Sequence, residues 1–140
     1  MSSNRNALQI KLADQIRAKF EISPEIYQAF CEIDRAEFVK IVRDAYTLNP
    51  QPISENQWIS SPLTVAKMTQ YLELASADSV LEIGCGSGYQ SAILSKIVRR
   101  VFAVERIEKL VDESKIHFKN LGISNVHVLH ADGNFGWEKY

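Results

Sequence analysis

The fold of this chain follows from the stretch Ser79-Val80-Leu81-Glu82-Ile83-Gly84-Cys85-Gly86-Ser87-Gly88-Tyr89-Gln90. It begins as an apolar run of strand length, passes three glycines at alternate positions and enters an apolar-periodic helix. Such a turn presents backbone N–H groups to a ligand, because the first N–H groups of a helix have no partner within that helix. A side chain at the glycine positions would block the ligand or forbid the backbone angles. The stretch therefore predicts a ligand-binding turn at the end of a strand.

The spacing of the glycines separates two classes of binding turn. A dinucleotide fingerprint would place its third glycine at position 89, but that residue is a tyrosine and the third glycine is Gly88. Glu82 lies just before the turn, where a carboxylate would oppose a pyrophosphate. The pattern from Leu81 to Gly88 instead resembles the first motif of S-adenosylmethionine-dependent methyltransferases of the Rossmann-like class. A dinucleotide-dependent oxidoreductase and a strand–turn–helix corner without a ligand are the alternatives.

Length and charge set limits on the class of protein. The chain has 140 residues, enough for one domain with its own core, and a formal net charge of −1. That charge predicts no general attraction for nucleic acid or for an anionic membrane. Cys31 and Cys85 lack metal-type spacing, no apolar run reaches membrane-spanning length, and the first residues lack a signal-peptide core. We therefore expect a cytoplasmic protein with reduced cysteines.

Two amphipathic helices are predicted at the start of the chain. Apolar residues recur at helical spacing, first at Leu8, Leu12, Ile16 and Phe20 and then at Ile26, Phe30 and Ile33. The run from Asp34 to Val39 follows and has no clear period. We interpret it as a solvated helix end anchored by Phe38 and Val39.

The segment from Tyr46 to Pro62 predicts a functional loop. It is rich in Pro, Asn, Gln and Ser, and Ile53 and Trp58 anchor it. A helix then begins at Ser61-Pro62 and continues with the apolar residues Leu63, Ala66, Met68 and Leu72. Ser60 thus precedes a helix N-terminus, which favours an anion such as a carboxylate. The alternative is that Ser60 and Ser61 only cap the helix.

Two further strands are predicted after the glycine turn. Val101 to Val104 is entirely apolar, as expected for a parallel strand covered on both faces, and it ends at Glu105. A carboxylate at that point, about twenty residues past the glycines, can accept both ribose hydroxyls. The alternative is that Glu105 caps the next helix or pairs with Arg106 or Lys109. The third strand closes at Asp132-Gly133, so the ends of three parallel strands would converge on one crevice.

A metal site is not expected. Of the three histidines, His127 and His130 would point to opposite faces of a strand, and His117 falls on a helix.

With these pieces in place, the chain resembles the protein-L-isoaspartate O-methyltransferase family over nearly its whole length. The resemblance is carried by these segments: Asp34-Arg35…Phe38-Val39, Ala45-Tyr46…Pro50…Pro52-Ile53, Gln57…Ile59-Ser60…Pro62, Val80-Leu81-Glu82-Ile83-Gly84…Gly86-Ser87-Gly88-Tyr89-Gln90, Val104-Glu105-Arg106 and Asp132-Gly133…Gly136-Trp137. The Ile59-Ser60…Pro62 segment is the distinguishing one, since many methyltransferases share the glycine turn. Another methyltransferase and a non-catalytic association module stay open as alternatives.

The resemblance implies a fold, a reaction and a set of site residues. The fold would be α/β, a doubly wound parallel Rossmann-like methyltransferase sheet cut after its third strand. Residues 1–73 would form an N-terminal helical region with the substrate loop. Residues 74–140 would form the first half of the S-adenosylmethionine-binding Rossmann-like domain, in one structural unit with the helical region. The reaction would move a methyl group from S-adenosyl-L-methionine to the α-carboxyl group of L-isoaspartyl residues in damaged proteins or peptides. Ser60 would be the catalytic residue at the substrate carboxylate. The implied cofactor-binding residues are Ile59, Glu82, Gly84, Cys85, Gly86, Ser87, Gly88, Glu105, Arg106, Asp132 and Gly133.

Two departures from the family pattern bear on these expectations. The family commonly has a threonine in place of Trp58 and glycines in place of Ser54 and Asn56, so the substrate mouth should differ here. The family also continues through further strands, one of which would flank Val80 to Ile83. We therefore expect an exposed edge there, covered in a longer protein, by a partner chain or by self-association, and weak cofactor binding and poor turnover by the 140 residues alone.

Overall fold

The computed structural model describes residues 3–137 and places a helical N-terminal part against a parallel sheet. The helices are α1 (Ser3–Lys19), α2 (Pro24–Glu32), α3 (Pro62–Tyr71), α4 (Tyr89–Ser95) and α5 (Glu108–Asn120). The strands are β1 (Gln51–Pro52), β2 (Trp58–Ile59), β3 (Ser79–Ile83), β4 (Arg100–Glu105) and β5 (Val126–His130). Short 3-10 helices lie at Arg35–Phe38, Val42–Asp44, Leu74–Ser76 and Gly133–Phe135. Within residues 3–137 no helix is both long and apolar enough to cross a membrane.

The central sheet has the strand order β3-β4-β5, with both pairs parallel. Because α4 connects β3 to β4 and α5 connects β4 to β5, the unit is a β-α-β-α-β crossover of the Rossmann-like type. The carboxyl ends of the three strands lie at one edge of the sheet, with Ile83 opposite Val104 and Glu105 opposite His130. This confirms the predicted parallel Rossmann-like sheet.

The turn between β3 and α4 has the backbone that its glycines predict. Gly84, Gly86 and Gly88 all have positive φ, at 79°, 55° and 101°. At Gly88 a Cβ would also lie 2.6 Å from the Phe118 ring of α5. Glycine is therefore required at position 88 both by the backbone angle and by the close approach of α5.

The two faces of the sheet differ in how they are covered. The Glu82 side chain points toward α4, where the Ser91 hydroxyl donates a hydrogen bond to it. Its neighbours Leu81 and Ile83 point to the other face and are 43% and 53% exposed. β3 pairs with one strand among the described residues, so it presents both a free backbone edge and an apolar surface. The predicted exposed edge is present.

The predicted helices form, but in α1 and α3 the buried face differs from the predicted one. In α1 the buried residues are Gln9, Leu12, Ala13 and Ile16, whereas Leu8 is 37% exposed. In α3 the buried residues are Pro62, Val65, Ala66 and Thr69, whereas Met68 is 54% exposed and Leu72, just after the helix, is 48% exposed. The packing partners set the rotation of each helix, and polar residues such as Gln9 are buried because they bond to buried backbone, in this case the Phe30 carbonyl at 2.6 Å.

The interpretation of Asp34 to Val39 as a solvated helix end was wrong, although Phe38 and Val39 do pack against the core as expected of an anchor. The segment is a 3-10 helix that begins after the Asp34 cap, and Arg35 and Phe38 are 0% and 2% exposed. Asp34 is also buried and accepts hydrogen bonds from the Ala36 N–H at 3.1 Å and the Tyr46 hydroxyl at 2.7 Å. Polar partners distant in sequence make this burial possible, so helical periodicity could not reveal it.

Candidate functional site

Two adjoining cavities lie at the carboxyl ends of the strands. The larger, about 630 Å³, extends along β3 toward α3 and is lined by Ser60 and Glu82, among other residues. The smaller, about 380 Å³, lies over the ends of β4 and β5. Four residues line both cavities: Trp58, Ile83, Gly84 and Gly86. A ligand that passes over the glycine turn would therefore reach both.

Ser60 lies at the larger cavity just before α3. Ser61, not Ser60, caps the helix, because its Oγ accepts the Leu63 N–H at 3.2 Å. Ser60 is exposed, and its carbonyl oxygen accepts a hydrogen bond from Arg35 Nη2 at 3.0 Å. The capping alternative thus holds for Ser61, while the Ser60 side chain is exposed at the cavity.

Glu82 brings a carboxyl group with unusual acidity to the same cavity. The residue is half-buried, but its carboxyl group lies inside the protein, and this burial raises the pKa to about 7. The Ser91 hydroxyl opposes the shift by bonding to the carboxylate, and the nearby charge of Glu105 adds to it. Glu82 therefore changes its charge near neutral pH, and a cationic ligand beside it would favour the ionised form.

Cys85 of the glycine turn is a neutral thiol. Burial, followed by the charges of Glu82 and Glu105, raises its pKa to about 12. Since the thiolate is the nucleophilic form, Cys85 lines the cavity and does not act as a nucleophile.

Glu105 connects the glycine turn to the beginning of α5. The residue is buried, and its two carboxylate oxygens accept the Gly86 N–H at 3.1 Å and the Ile107 N–H at 2.8 Å. Of the proposed alternative partners, Lys109 pairs instead with Glu55 at 3.5 Å. Each carboxylate oxygen has two acceptor positions, so Glu105 retains capacity for hydroxyl donors in the smaller cavity.

Asp132 and Gly133 form the far wall of the smaller cavity. Asp132 Oδ1 accepts the Asn134 N–H at 2.9 Å, which fixes the 3-10 turn after β5. Gly133 is required for close packing, because a Cβ there would lie 2.3 Å from Ile83 Cγ2. Arg106 also lines this cavity, and its carbonyl contacts His130 Nε2 at 3.0 Å.

Comparison with known proteins identifies the family. The family model described as protein-L-isoaspartate(D-aspartate) O-methyltransferase matches residues 5–140. The chain belongs to this family. A protein-L-isoaspartate O-methyltransferase of Helicobacter pylori (strain G27) is 54% identical over the whole chain, which covers 66% of that protein. Another, from Pelobacter propionicus, is 41% identical over 94% of the chain and 60% of the relative. The chain thus spans just under two thirds of the length of these relatives.

Solved structures agree with the family assignment. A protein-L-isoaspartate O-methyltransferase structure superposes with a TM-score of 0.83 at 30% identity, covering 93% of this chain and 44% of that one. A Plasmodium falciparum structure described as a putative member of the family, in complex with S-adenosyl-L-homocysteine, shares the fold with a TM-score of 0.77 at 22% identity.

The structure brings together nearly all of the residues expected at the site. Ile59, Ser60, Glu82, Gly84, Cys85, Gly86 and Ser87 line the larger cavity, and Gly84, Gly86, Glu105, Arg106, Asp132 and Gly133 line the smaller one. Gly88 lines neither cavity and packs beneath Phe118. Among residues 3–137 no cluster of His, Cys, Asp and Glu side chains is arranged to hold a metal ion.

Sequence reasoning missed several residues of the site. Trp58 was expected to anchor the loop and to alter the substrate mouth, but not to lie 65% exposed in the wall shared by both cavities. Met68 and Tyr71, on the exposed face of α3, also line the larger cavity. Of the two positions where this chain lacks the family's glycines, Asn56 keeps a positive φ of 55°, which asparagine tolerates, and Ser54 is buried and donates to Glu113 at 2.7 Å.

Proposed function

We propose that this chain is part of an enzyme that transfers a methyl group from S-adenosyl-L-methionine to the α-carboxyl group of L-isoaspartyl residues in damaged proteins. The observation that carries the proposal is the pair of adjoining cavities. One offers acidic groups at strand ends, the other offers Ser60 beside a helix N-terminus, and they meet at the glycine turn. The family assignment and the names of the relatives support this reading.

The donor set of the smaller cavity fits the nucleoside part of the cofactor. Glu105 would accept the ribose hydroxyls, and Asp132 with Gly133 would border the adenine. The glycine turn would lie along the methionine part, and the Glu82 carboxylate would face its ammonium group. Among the described residues that line the smaller cavity, Arg106 is the only cationic one, and its backbone carbonyl contacts His130. A ligand with a positive centre and several hydroxyl donors suits such walls.

The chemistry needs positioning more than acid–base catalysis. When bound, S-adenosyl-L-methionine supplies a methyl group that leaves a positively charged sulfur, which keeps the electron pair of the broken bond. The substrate carboxylate is already ionised at neutral pH, since its reference pKa is about 4. Ser60 would donate a hydrogen bond to that carboxylate and aim one oxygen, while the α3 N-terminus offsets its charge. Cys85, a neutral thiol, does not compete as a nucleophile.

A peptide pair tests the proposal. Purified protein is incubated with methyl-labelled cofactor and either an L-isoaspartyl peptide or the same peptide with normal aspartate. Base-labile label should appear on the isoaspartyl peptide alone. The assay is run on the 140-residue chain and on a chimera completed with the part of the Helicobacter pylori relative that the chain does not cover, because we expect slow turnover by the 140 residues alone. Equal labelling of both peptides, or none with the chimera, would refute the proposal.

A thermal-shift comparison separates this proposal from the dinucleotide alternative. S-adenosylhomocysteine should raise the melting temperature, whereas NAD should leave it unchanged. The reverse order would favour an oxidoreductase.

We also propose self-association through β3. The support is its free backbone edge together with the exposed side chains of Leu81 and Ile83. Size-exclusion chromatography should show a dimer that a Leu81→Lys substitution dissociates, and a monomer at all concentrations would contradict this.

Cytoplasmic localisation and the division at residue 73 also remain predictions. Cell fractionation tests the first, and expression of residues 74–140 alone tests whether the two parts are one unit.

A further inference from the structure

A buried arginine outside both cavities holds the segment that carries Ser60. Arg35 is 0% exposed and lines neither cavity. Its Nη2 donates to the carbonyl oxygens of Asn49 at 3.3 Å and Ser60 at 3.0 Å. These two carbonyls lie at the two ends of the loop that contains β1, β2 and Trp58. One guanidinium nitrogen therefore ties both ends of the loop to the 3-10 helix Arg35–Phe38.

The position of Arg35 is itself tightly held. Its backbone N–H donates to Gln9 Oε1 at 3.1 Å, and its guanidinium carbon lies 4.9 Å from the centre of the Tyr89 ring. Gln9 is in turn fixed by the Phe30 carbonyl. Hydrogen bonds therefore connect Ser60, through Arg35 and Gln9, to the packed helices α1 and α2.

The charge of Arg35 has no carboxylate partner among residues 3–137. The adjacent Asp34 is occupied by Arg5, at 2.7 Å, and by the Tyr46 hydroxyl. The Nε and Nη1 atoms of Arg35 are buried without hydrogen-bond partners in the described part of the chain. Burying a cation without a counter-charge is costly, and the two carbonyl oxygens and the Tyr89 ring offset only part of that cost. The nearest polar group that it contacts at the site is the Ser60 carbonyl.

We propose that Arg35 is a positioning residue for the substrate carboxylate: it fixes Ser60 through its carbonyl oxygen and places a buried positive charge behind the anion that Ser60 receives. The proposal rests on the function proposed above, because it gives that carboxylate its counter-charge. Arginine suits the role since the Nη2 atom alone carries two hydrogens, one for each carbonyl, while the guanidinium remains charged. Replacing Arg35 should therefore weaken substrate binding and loosen the loop that carries Ser60. It should leave ligand binding in the smaller cavity unchanged.

Three variants separate the charge of Arg35, the position of its donor nitrogen and general surface effects. Arg35→Met removes the charge and keeps much of the side-chain volume. Arg35→Lys keeps the charge but ends in a compact ammonium group on a shorter side chain, so it should not reach both carbonyls as the Nη2 atom does. Arg43→Met is the matched control, since the Arg43 side chain is 85% exposed and pairs with the neighbouring Asp44.

Two measurements are made on the purified 140-residue chain. The first is affinity for an L-isoaspartyl peptide in saturating S-adenosylhomocysteine, beside the affinity for S-adenosylhomocysteine itself. Arg35→Met should weaken peptide binding about tenfold, as expected for a lost charge-assisted contact, and Arg35→Lys should recover part of that loss. Affinity for S-adenosylhomocysteine should change by less than about threefold in every variant, as expected for a separate site. Wild-type peptide affinity in both Arg35 variants would overturn the proposal.

The second measurement is hydrogen exchange of residues 50–61. Exchange should quicken in both Arg35 variants and stay at the wild-type rate in Arg43→Met. If Arg35→Met does not fold, Arg35→Lys still decides, because unchanged exchange and unchanged peptide affinity in that variant would overturn the proposal. If the wild-type chain binds no isoaspartyl peptide, the proposed function fails, and the exchange rates still decide whether Arg35 holds the loop.

Discussion

Cofactor affinity should depend on pH through Glu82, and the size of the effect follows from its pKa. Burial raises that pKa to about 7, so the group is largely neutral at pH 6 and largely ionised at pH 8. If the ionised form alone binds the ammonium group of the ligand, the apparent dissociation constant equals the intrinsic one divided by the ionised fraction. That fraction is about one eleventh at pH 6 and about nine tenths at pH 8, for a pKa of 7. S-adenosylhomocysteine should therefore bind about tenfold more tightly at pH 8 than at pH 6.

Isothermal titration calorimetry at the two pH values measures this ratio. The control is Glu82→Gln, which keeps the acceptor for Ser91 but cannot ionise, so its profile contains only the titrations of the ligand and of other groups. The difference between wild-type and Glu82→Gln profiles isolates the contribution of Glu82. Coinciding profiles would refute either the raised pKa or the placement of the ammonium group beside Glu82.

Three further outcomes are expected. Ser60→Ala should lower methyl transfer at least tenfold while leaving S-adenosylhomocysteine affinity nearly unchanged, and a wild-type rate in the methylation assay would remove Ser60 from the mechanism. Glu105→Gln should weaken S-adenosylhomocysteine binding by about tenfold or more, because a charged acceptor of ribose hydroxyls becomes neutral, and undiminished affinity by calorimetry would contradict the ribose assignment. Gly88→Ala should reduce the free energy of unfolding by about 1–3 kcal/mol, since position 88 has a φ of 101° and faces Phe118. Urea denaturation checks this, and an unchanged midpoint would show that α5 can move aside.

The sequence predicted best the parts of the fold that depend on local chemistry. The glycines between Ile83 and Tyr89 predict a strand–turn–helix with left-handed backbone, and the three glycines have positive φ. The apolar strand Val101–Val104 and the polar residues after each strand predict a shared edge, because parallel strands align their ends. Glu105 and Asp132 accordingly line one cavity.

The remaining features depend on partners distant in sequence. Arg35 is buried because it reaches carbonyls 14 and 25 residues away, at Asn49 and Ser60. Met68 is exposed although it falls on an apolar pattern, since the rotation of α3 is set by what packs against Val65 and Ala66. Periodicity within one helix carries no information about the partners of Arg35 or about the rotation of α3.

The place of Trp58 has a practical consequence for studying this chain. Its indole is 65% exposed and borders both cavities, so solvent around the ring is displaced whichever cavity fills first. The emission wavelength of an exposed indole shifts to the blue when water leaves it. With the other tryptophan, Trp137, replaced by phenylalanine, the fluorescence of Trp58 would report the binding of nucleoside and then of peptide in one titration, without an added dye.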